Sequence, residues 1–301
     1  MPALKILLFF RRHDRIFRAL LLSLLVIVML TITVTSAWHI VRDEAGSLEC
    51  RFLDVGQGDS VLLRHAEKTV LVDTGPAASG EVLCAELSRL GVVRIDLLVL
   101  THAHEDHTGN ARLLIDRLEI GCLMIASSDT SEACFTYALD AASEKDIPVR
   151  TVAAGVEVRF GNLILNVLAA GGNGLNVKEN QNLSSIVLRV ALYDTVLLLT
   201  GDGDAALEER LLEQYDRETL DCDLLKVAHH GSNNASSAQF LEATSPAIAV
   251  ITCGKGNSFG FPHDRVLADL ASCGATVYRT DLEGTLCFII DREGIHLEER
   301  G

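Results

Sequence analysis

The residues best suited to chemistry lie in one short stretch, Leu100-Thr101-His102-Ala103-His104-Glu105-Asp106-His107-Thr108-Gly109. Three imidazoles and two carboxylates fall within six positions. The apolar run Ile95–Leu100 before them reads as a buried strand, and Gly109–Leu118 after them reads as a helix. A turn held between two rigid elements can fix metal ligands in place. In an extended run His102, His104 and Asp106 share one side, and a bend towards the helix lets His107 reach round to a second metal. The turn therefore offers two adjacent positions for divalent cations, built from imidazole and carboxylate ligands.

Two further ligand groups stand at the ends of apolar strands. Asp202 follows Val196–Gly201, and a carboxylate can place one oxygen on each of two cations. As an alternative it could cap the helix that starts near Ala205, although Asp204 is better placed for that. His229 and His230 follow Leu224–Ala228. Successive strand residues face opposite sides, so one of the pair is expected as a ligand, with His229 favoured and His230 beside it or at the substrate.

The pattern His102-Ala103-His104-Glu105-Asp106-His107 resembles the HxHxDH signature of the metallo-β-lactamase superfamily. The wider match is to one branch, the soluble domain of the DNA-internalisation protein ComEC and its free-standing relatives. It is carried by Phe52–Ser60, Leu71–Gly75, Leu199–Asp202, Lys226–Ser232 and Tyr278–Asp281, in the family's order, over roughly residues 48 to 290.

The resemblance implies an α/β fold, the αββα four-layer sandwich, with two divalent metal ions, zinc or manganese. It implies that Asp202 bridges both metals and that Asp73 braces the metal loop by hydrogen bonds rather than binding metal. Gly56–Asp59, a hairpin turn on residue pattern alone, moves to the rim of the active site. Asn182 and Ser185 stand where this branch shows an asparagine and serine pattern. The chain departs from many family members in having no histidine between Ala111 and Gly201. The first metal is then expected on His102, His104 and Asp202, and the second, held more tightly, on Asp106, His107, Asp202 and His229.

Two cations about 3.5–4 Å apart can acidify a shared water and clamp both ends of a phosphoryl displacement. Asp106 is the candidate to orient that water. Lys226 is the candidate to stabilise phosphoryl charge, although a surface lysine at a strand end is the commoner case. His263 could protonate the leaving oxygen, or be a helix-start residue behind Pro262. The family often has a histidine where Phe261 stands.

Composition sets the remaining bounds. Of 301 residues 49% are apolar and 22% charged, which suits a packed core. The net charge is −15. The first 38 residues hold five cations and one carboxylate, so the rest carries −19. Such an acidic domain is a poor general binder of phosphate backbones, and bound cations would have to supply the missing charge. Eight cysteines include no CxxC pair, which argues against a thiolate zinc site. Several sit in apolar runs and read as core residues, and no disulfide pairing can be assigned.

An uncharged apolar run from Ala19 to about Trp38 has the roughly 20 residues that a helix needs to cross a bilayer. Basic residues before it and Asp43 and Glu44 after it keep the N-terminus in the cytoplasm. A cleaved signal peptide is the rival reading, with Thr35-Ser36-Ala37 as the cut site. The expected organisation is therefore a basic stub and membrane anchor over 1–38, a linker over 39–47 and a catalytic domain over 48–301. The chain reads as a single-pass protein of the cytoplasmic membrane whose catalytic domain faces outwards.

The function expected is a metal-dependent phosphodiesterase, with single-stranded DNA the substrate that the resemblance implies. A phosphodiesterase for cell-wall or phosphocholine-type esters is the alternative within enzymes. A non-catalytic tethered component of a DNA-uptake machine is the alternative outside them. One spanning segment cannot form a DNA channel, so transport would need a channel partner.

Overall fold

The computed structural model describes residues 22–33, 46–126, 132–178 and 180–298. Helix α1, residues 22–33, belongs to a unit that ends at Gly46, and its side chains are exposed. Among the described residues no helix is long and apolar enough to cross a membrane. The rest of the expected span, the basic stub and residues 39–45 of the linker lie outside the described residues.

The second unit, Ser47–Gly301, is built on two large sheets. The first half of the chain supplies β1 (Leu48–Phe52), β2 (Val61–His65), β3 (Lys68–Val72), β4 (Arg94–Ile95), β5 (Leu97–Leu100), β6 (Glu119–Ile120), β7 (Leu123–Ile125) and β8 (Val149–Thr151). The second half supplies β9 (Glu157–Phe160), β10 (Leu163–Ala169), β11 (Val187–Leu192), β12 (Thr195–Leu199), β13 (Leu224–Lys226), β14 (Ile248–Ile251) and β15 (Thr276–Arg279). The last two strands, β16 (Leu286–Asp291) and β17 (Gly294–Leu297), return to the first sheet, whose order is β17-β16-β1-β2-β3-β5-β7-β8. The second sheet runs β15-β14-β13-β12-β11-β10-β9.

Alternation along the strands creates the layers. Val61, Leu63, Val70, Val72, Leu97 and Val99 join Leu188, Val190, Leu197, Leu199, Leu224 and Val250 in one core between the sheets. The intervening residues Leu62, Leu71, Leu98 and Leu100 face outwards and pack with Leu83, Leu87, Leu114 and Phe135. These come from helices α2 (Gly80–Arg89), α4 (Ala111–Arg117) and α5 (Ala133–Glu144). On the other sheet Leu198, Leu225, Ala249 and Ile251 pack with Leu207, Leu211, Phe240, Val266 and Leu270. Those belong to α6 (Ala205–Gln214), α8 (Ala238–Thr244) and α9 (Asp264–Ser272). Helices cover both outer faces, giving the mixed α/β sandwich that the sequence implies.

The parallel strands β3, β5, β12, β13 and β14 are buried on both faces, hence their unbroken apolar runs. Each of them ends at a polar residue that belongs to the site: Asp73, Thr101, Thr200, Lys226 and Thr252. Four buried cysteines, Cys50, Cys222, Cys253 and Cys287, are core residues, and all eight are free thiols. The single-turn helices α3 (Glu105–Thr108), α7 (Arg217–Leu220) and α10 (Thr280–Glu283) complete the described elements of this unit, apart from short 3-10 turns.

Candidate metal centre

The turn after β5 is held from below by Asp73, which is buried in a left-handed backbone at φ 61°. Its Oδ1 accepts from the Thr101 amide at 2.8 Å. Its Oδ2 accepts from the Thr101 hydroxyl at 2.7 Å and lies 2.8 Å from His107 Nδ1. Asp73 thereby fixes a proton on His107 Nδ1 and leaves Nε2 pointing inwards. Gly58 fits close approach rather than a free hairpin. Gly58 lies at φ 149°, and a Cβ there would collide with the Asp106 carbonyl. The amide of the next residue, Asp59, donates to that carbonyl at 3.1 Å.

The same arrangement recurs at His102 and His230. Thr101 Oγ1 gives its hydrogen to Asp73, so it accepts from His102 Nδ1 at 3.1 Å. His230 Nδ1 donates to the Thr252 carbonyl at 2.8 Å. All three rings are tied down through Nδ1 and present Nε2 to a common interior. Thr101 and Thr252 were not among the residues singled out from sequence. The signal available for both was a polar residue closing an apolar strand, beside His102 in one case.

The inward nitrogens meet two carboxylates. Asp202 Oδ1 lies 3.2 Å from His107 Nε2, and its Oδ2 lies 3.3 Å from His230 Nε2. Asp106 Oδ2 is also 3.3 Å from His230 Nε2. Ligand atoms of Asp106, His107, Asp202 and His230 all fall within 4.8 Å of one another. Buried His107 Nε2, His230 Nε2 and Asp202 Oδ1 make no hydrogen bond. Buried polar atoms are rarely left so, and three of them converging with a fourth ligand is what a divalent cation satisfies. The donor set fits a metal ion.

His102 and His104 stand beside this group. Their Nε2 and Nδ1 atoms are 3.1 Å apart, and the His102 ring centre is 4.2 Å from that of His107. A second grouping, Asp59, Asp73 and His107, is also compact. Its carboxylates are already taken by protein donors, Asp73 by Thr101 and Asp59 by Lys226 and Thr252.

His229 and His230 depart from the sequence expectation. They are not strand residues on opposite faces. β13 stops at Lys226, and the two histidines occupy consecutive left-handed positions at φ 50° and 55°. Such backbone is strained for residues with a Cβ. It brings both rings round to Asp202, with His229 Nε2 at 3.8 Å and His230 Nε2 closer. The compact ligand group contains His230, where the sequence favoured His229. His229 Nδ1 instead lies 3.4 Å from Asn182 Nδ2. Ser185 Oγ accepts from the Asp202 amide at 3.2 Å, and Asp204, not Asp202, caps α6.

Two expected catalytic side chains sit differently. Lys226 is 1% exposed; its Nζ pairs with Asp59 and donates to the Gly201 carbonyl at 2.9 Å. It is neither a surface lysine nor free to meet a phosphoryl oxygen, because its partners are internal. His263 is the N-cap residue of α9, and its Nδ1 accepts from the Asn233 amide at 3.0 Å. That is the helix-start alternative.

Charge in the pocket is mutually organised. Burial alone would raise the Asp202 pKa, but His107 and His230 hold it well below the carboxylate range. Burial would lower His107 and His230, yet the surrounding carboxylates raise both well above the usual imidazole value. At His102 burial together with His107 outweighs the pull of Asp202 and Asp106, and its value is lowered well below. Asp106 is held at about 2; burial opposes this, and the neighbouring His230 and His107 outweigh it.

This fold with this donor set defines a metal-dependent hydrolase, and the chain belongs to the metallo-beta-lactamase superfamily, whose model matches residues 53–255. It is 32% identical over 256 residues to ComE operon protein 3 of Bacillus subtilis, covering 79% of this chain and 32% of that protein. It is 33% identical over 247 residues to the competence protein ComA of Neisseria gonorrhoeae, covering 80% and 32%. The ComEC-like resemblance read from sequence is thus met. The chain spans about a third of the length of these curated relatives. The solved metallo-beta-lactamase fold protein YhfI from Bacillus subtilis superposes with a TM-score of 0.50 at 12% identity, covering 78% of this chain and 96% of that one. That likeness concerns the fold alone.

Proposed function

We propose that this chain is a dinuclear metal-dependent phosphodiesterase, anchored in the cytoplasmic membrane by residues 19–38, that cleaves single-stranded DNA outside the cytoplasm. The observation that carries the hydrolase reading is that His107 and His230, each anchored through Nδ1, turn their Nε2 atoms on to Asp106 and Asp202 without a hydrogen bond there. His107, His230, Asp106 and Asp202 would hold one cation. His102 and His104, with Asp202 shared, would hold the other.

Zinc or manganese bound there would acidify a water and supply positive charge to phosphoryl oxygens. The chain does the rest. Asp73 and Thr252 keep His107 and His230 in one tautomer and one orientation. Asp106, at the edge of the group and partly exposed, orients the attacking water.

DNA as substrate rests on the ComEC-like resemblance, and competence relatives support it. The anchor rests on the apolar run behind a basic flank. One spanning segment cannot form a DNA channel, so transport would need a channel-forming partner.

The test is metal analysis of the purified full chain, followed by assay on single-stranded DNA and on bis-aryl phosphodiesters. Two equivalents of metal and hydrolysis that Asp202→Ala abolishes are expected. DNA cleavage that survives Asp202→Ala would rule the mechanism out.

A further inference from the structure

The loop from Gly254 to Phe261, between β14 and α9, contributes no ligand, yet it is firmly built. Asn257 Oδ1 accepts from the amides of Phe259 and Phe261 at 3.2 and 3.0 Å. Its Nδ2 donates to the carbonyls of Gly254 and Phe261 at 3.0 and 2.7 Å. The Gly254 amide donates to Gln57 Oε1 at 3.1 Å, tying the loop to the opposite half of the molecule.

The loop carries an aromatic ladder that starts at the metal centre. Phe261 stacks on His230, with ring centres 6.2 Å apart and planes at 30°. Phe259 stacks on Phe261 at 5.3 Å and 13°. The ladder ends in the open, because Phe259 is 61% exposed. Phe259 also lines a cavity of about 890 Å³ together with Val55, Pro76 and Val82, and the same cavity reaches His104 and Asp106.

Among the described residues the cavity is lined by the carboxylates of Asp54, Glu105 and Asp106 and by no lysine or arginine. Its walls therefore cannot recognise a polyanion by charge. They offer a flat, oriented ring facing an apolar wall. We infer that Phe259 is a stacking platform for a nucleobase of the strand whose phosphodiester reaches the His/Asp cluster. The inference rests on the phosphodiesterase reading. Every base has a π-face, so the platform tolerates any sequence, and it does not act on a strand that lacks bases.

The test uses the metal-loaded full chain with a fluorescent oligothymidylate and an abasic strand of equal length. The readouts are binding by anisotropy and kcat/KM on each strand. The wild type should favour the base-bearing strand. Phe259→Ala should reduce that preference about tenfold, mainly through KM, and Phe259→Trp should restore it. Because Phe259 lies on the surface, neither change opens a hole in the core. An unchanged preference in Phe259→Ala overturns the platform and leaves the hydrolase standing. Binding that depends on Phe259 without hydrolysis keeps the platform and overturns the hydrolase. Absence of both binding and hydrolysis overturns both.

Discussion

Lys226 and Asp59 form an ion pair inside the protein, at 1% and 2% exposure, between a strand of one sheet and a loop of the other. The lysine also holds the carbonyl of Gly201, the residue before Asp202. Asp59 in turn accepts from the Thr252 hydroxyl and lies 3.3 Å from His230 Nδ1. One charge pair therefore ties together the backbone under Asp202, the acceptor behind His230 and the glycine-rich loop against Asp106. Burial opposes both charges. The Lys226 pKa is nevertheless raised, and that of Asp59 lowered, because each faces the other.

Removing one partner strands the other charge. Lys226→Met is expected to lower stability by about 3–5 kcal/mol, with Lys226→Met/Asp59→Asn recovering part of the loss. Denaturant unfolding of the wild type, both single variants and the double variant measures the coupling. A Lys226→Met chain of unchanged stability that has lost only kcat/KM would instead make this lysine a substrate contact.

The two adjacent histidines should separate in metal binding. His230→Ala removes an anchored Nε2 from the compact group, and metal affinity should fall on the order of 100-fold. His229→Ala should lose less, since its Nε2 lies farther from Asp202 and its Nδ1 faces Asn182. Competition with a chelator gives both constants. Equal losses would mean that both rings ligate. Chelation of the wild type should also lower its Tm, because the ion binds only the folded state.

Asp73 acts through His107 and Thr101. Asp73→Asn keeps the shape but puts an amide where two oxygens accept three donors. Metal affinity should fall about 10–100-fold. Near-native far-UV circular dichroism alongside that loss would separate positioning from unfolding. Affinity unchanged from wild type would show that the Nδ1 contact does not set the ring.

Much of this was legible in the residues. Apolar runs such as Leu97–Leu100 and Leu224–Lys226 mark strands buried on both faces, and the ligand-rich turn follows one of them. The spacing of Leu83 and Leu87 gives α2 its buried face, with Leu90 at its C-cap packed against the same core. Four features lay beyond reach. The left-handed backbone at His229 and His230 is imposed by packing and leaves no mark in side-chain type. The burial of Lys226 depends on Asp59, far earlier in the chain. The final strand β17, with two exposed residues, lacks the apolar run that marks the others. The aromatic pair of Phe259-Gly260-Phe261 was visible, but its stacking on His230 was not.

Salt should distinguish the recognition mode. Proteins that hold single strands through lysine and arginine lose affinity with a log–log slope of about 0.7 per phosphate contacted. Here the described cavity lining is acidic and aromatic, and the chain carries a net charge of −15. Wild-type affinity for oligothymidylate should therefore vary little with salt, at a slope near that of one or two phosphates held at the metal centre. Anisotropy titrations from low to moderate salt at fixed metal concentration measure it. A steep slope would place the strand on a basic surface elsewhere and detach it from Phe259.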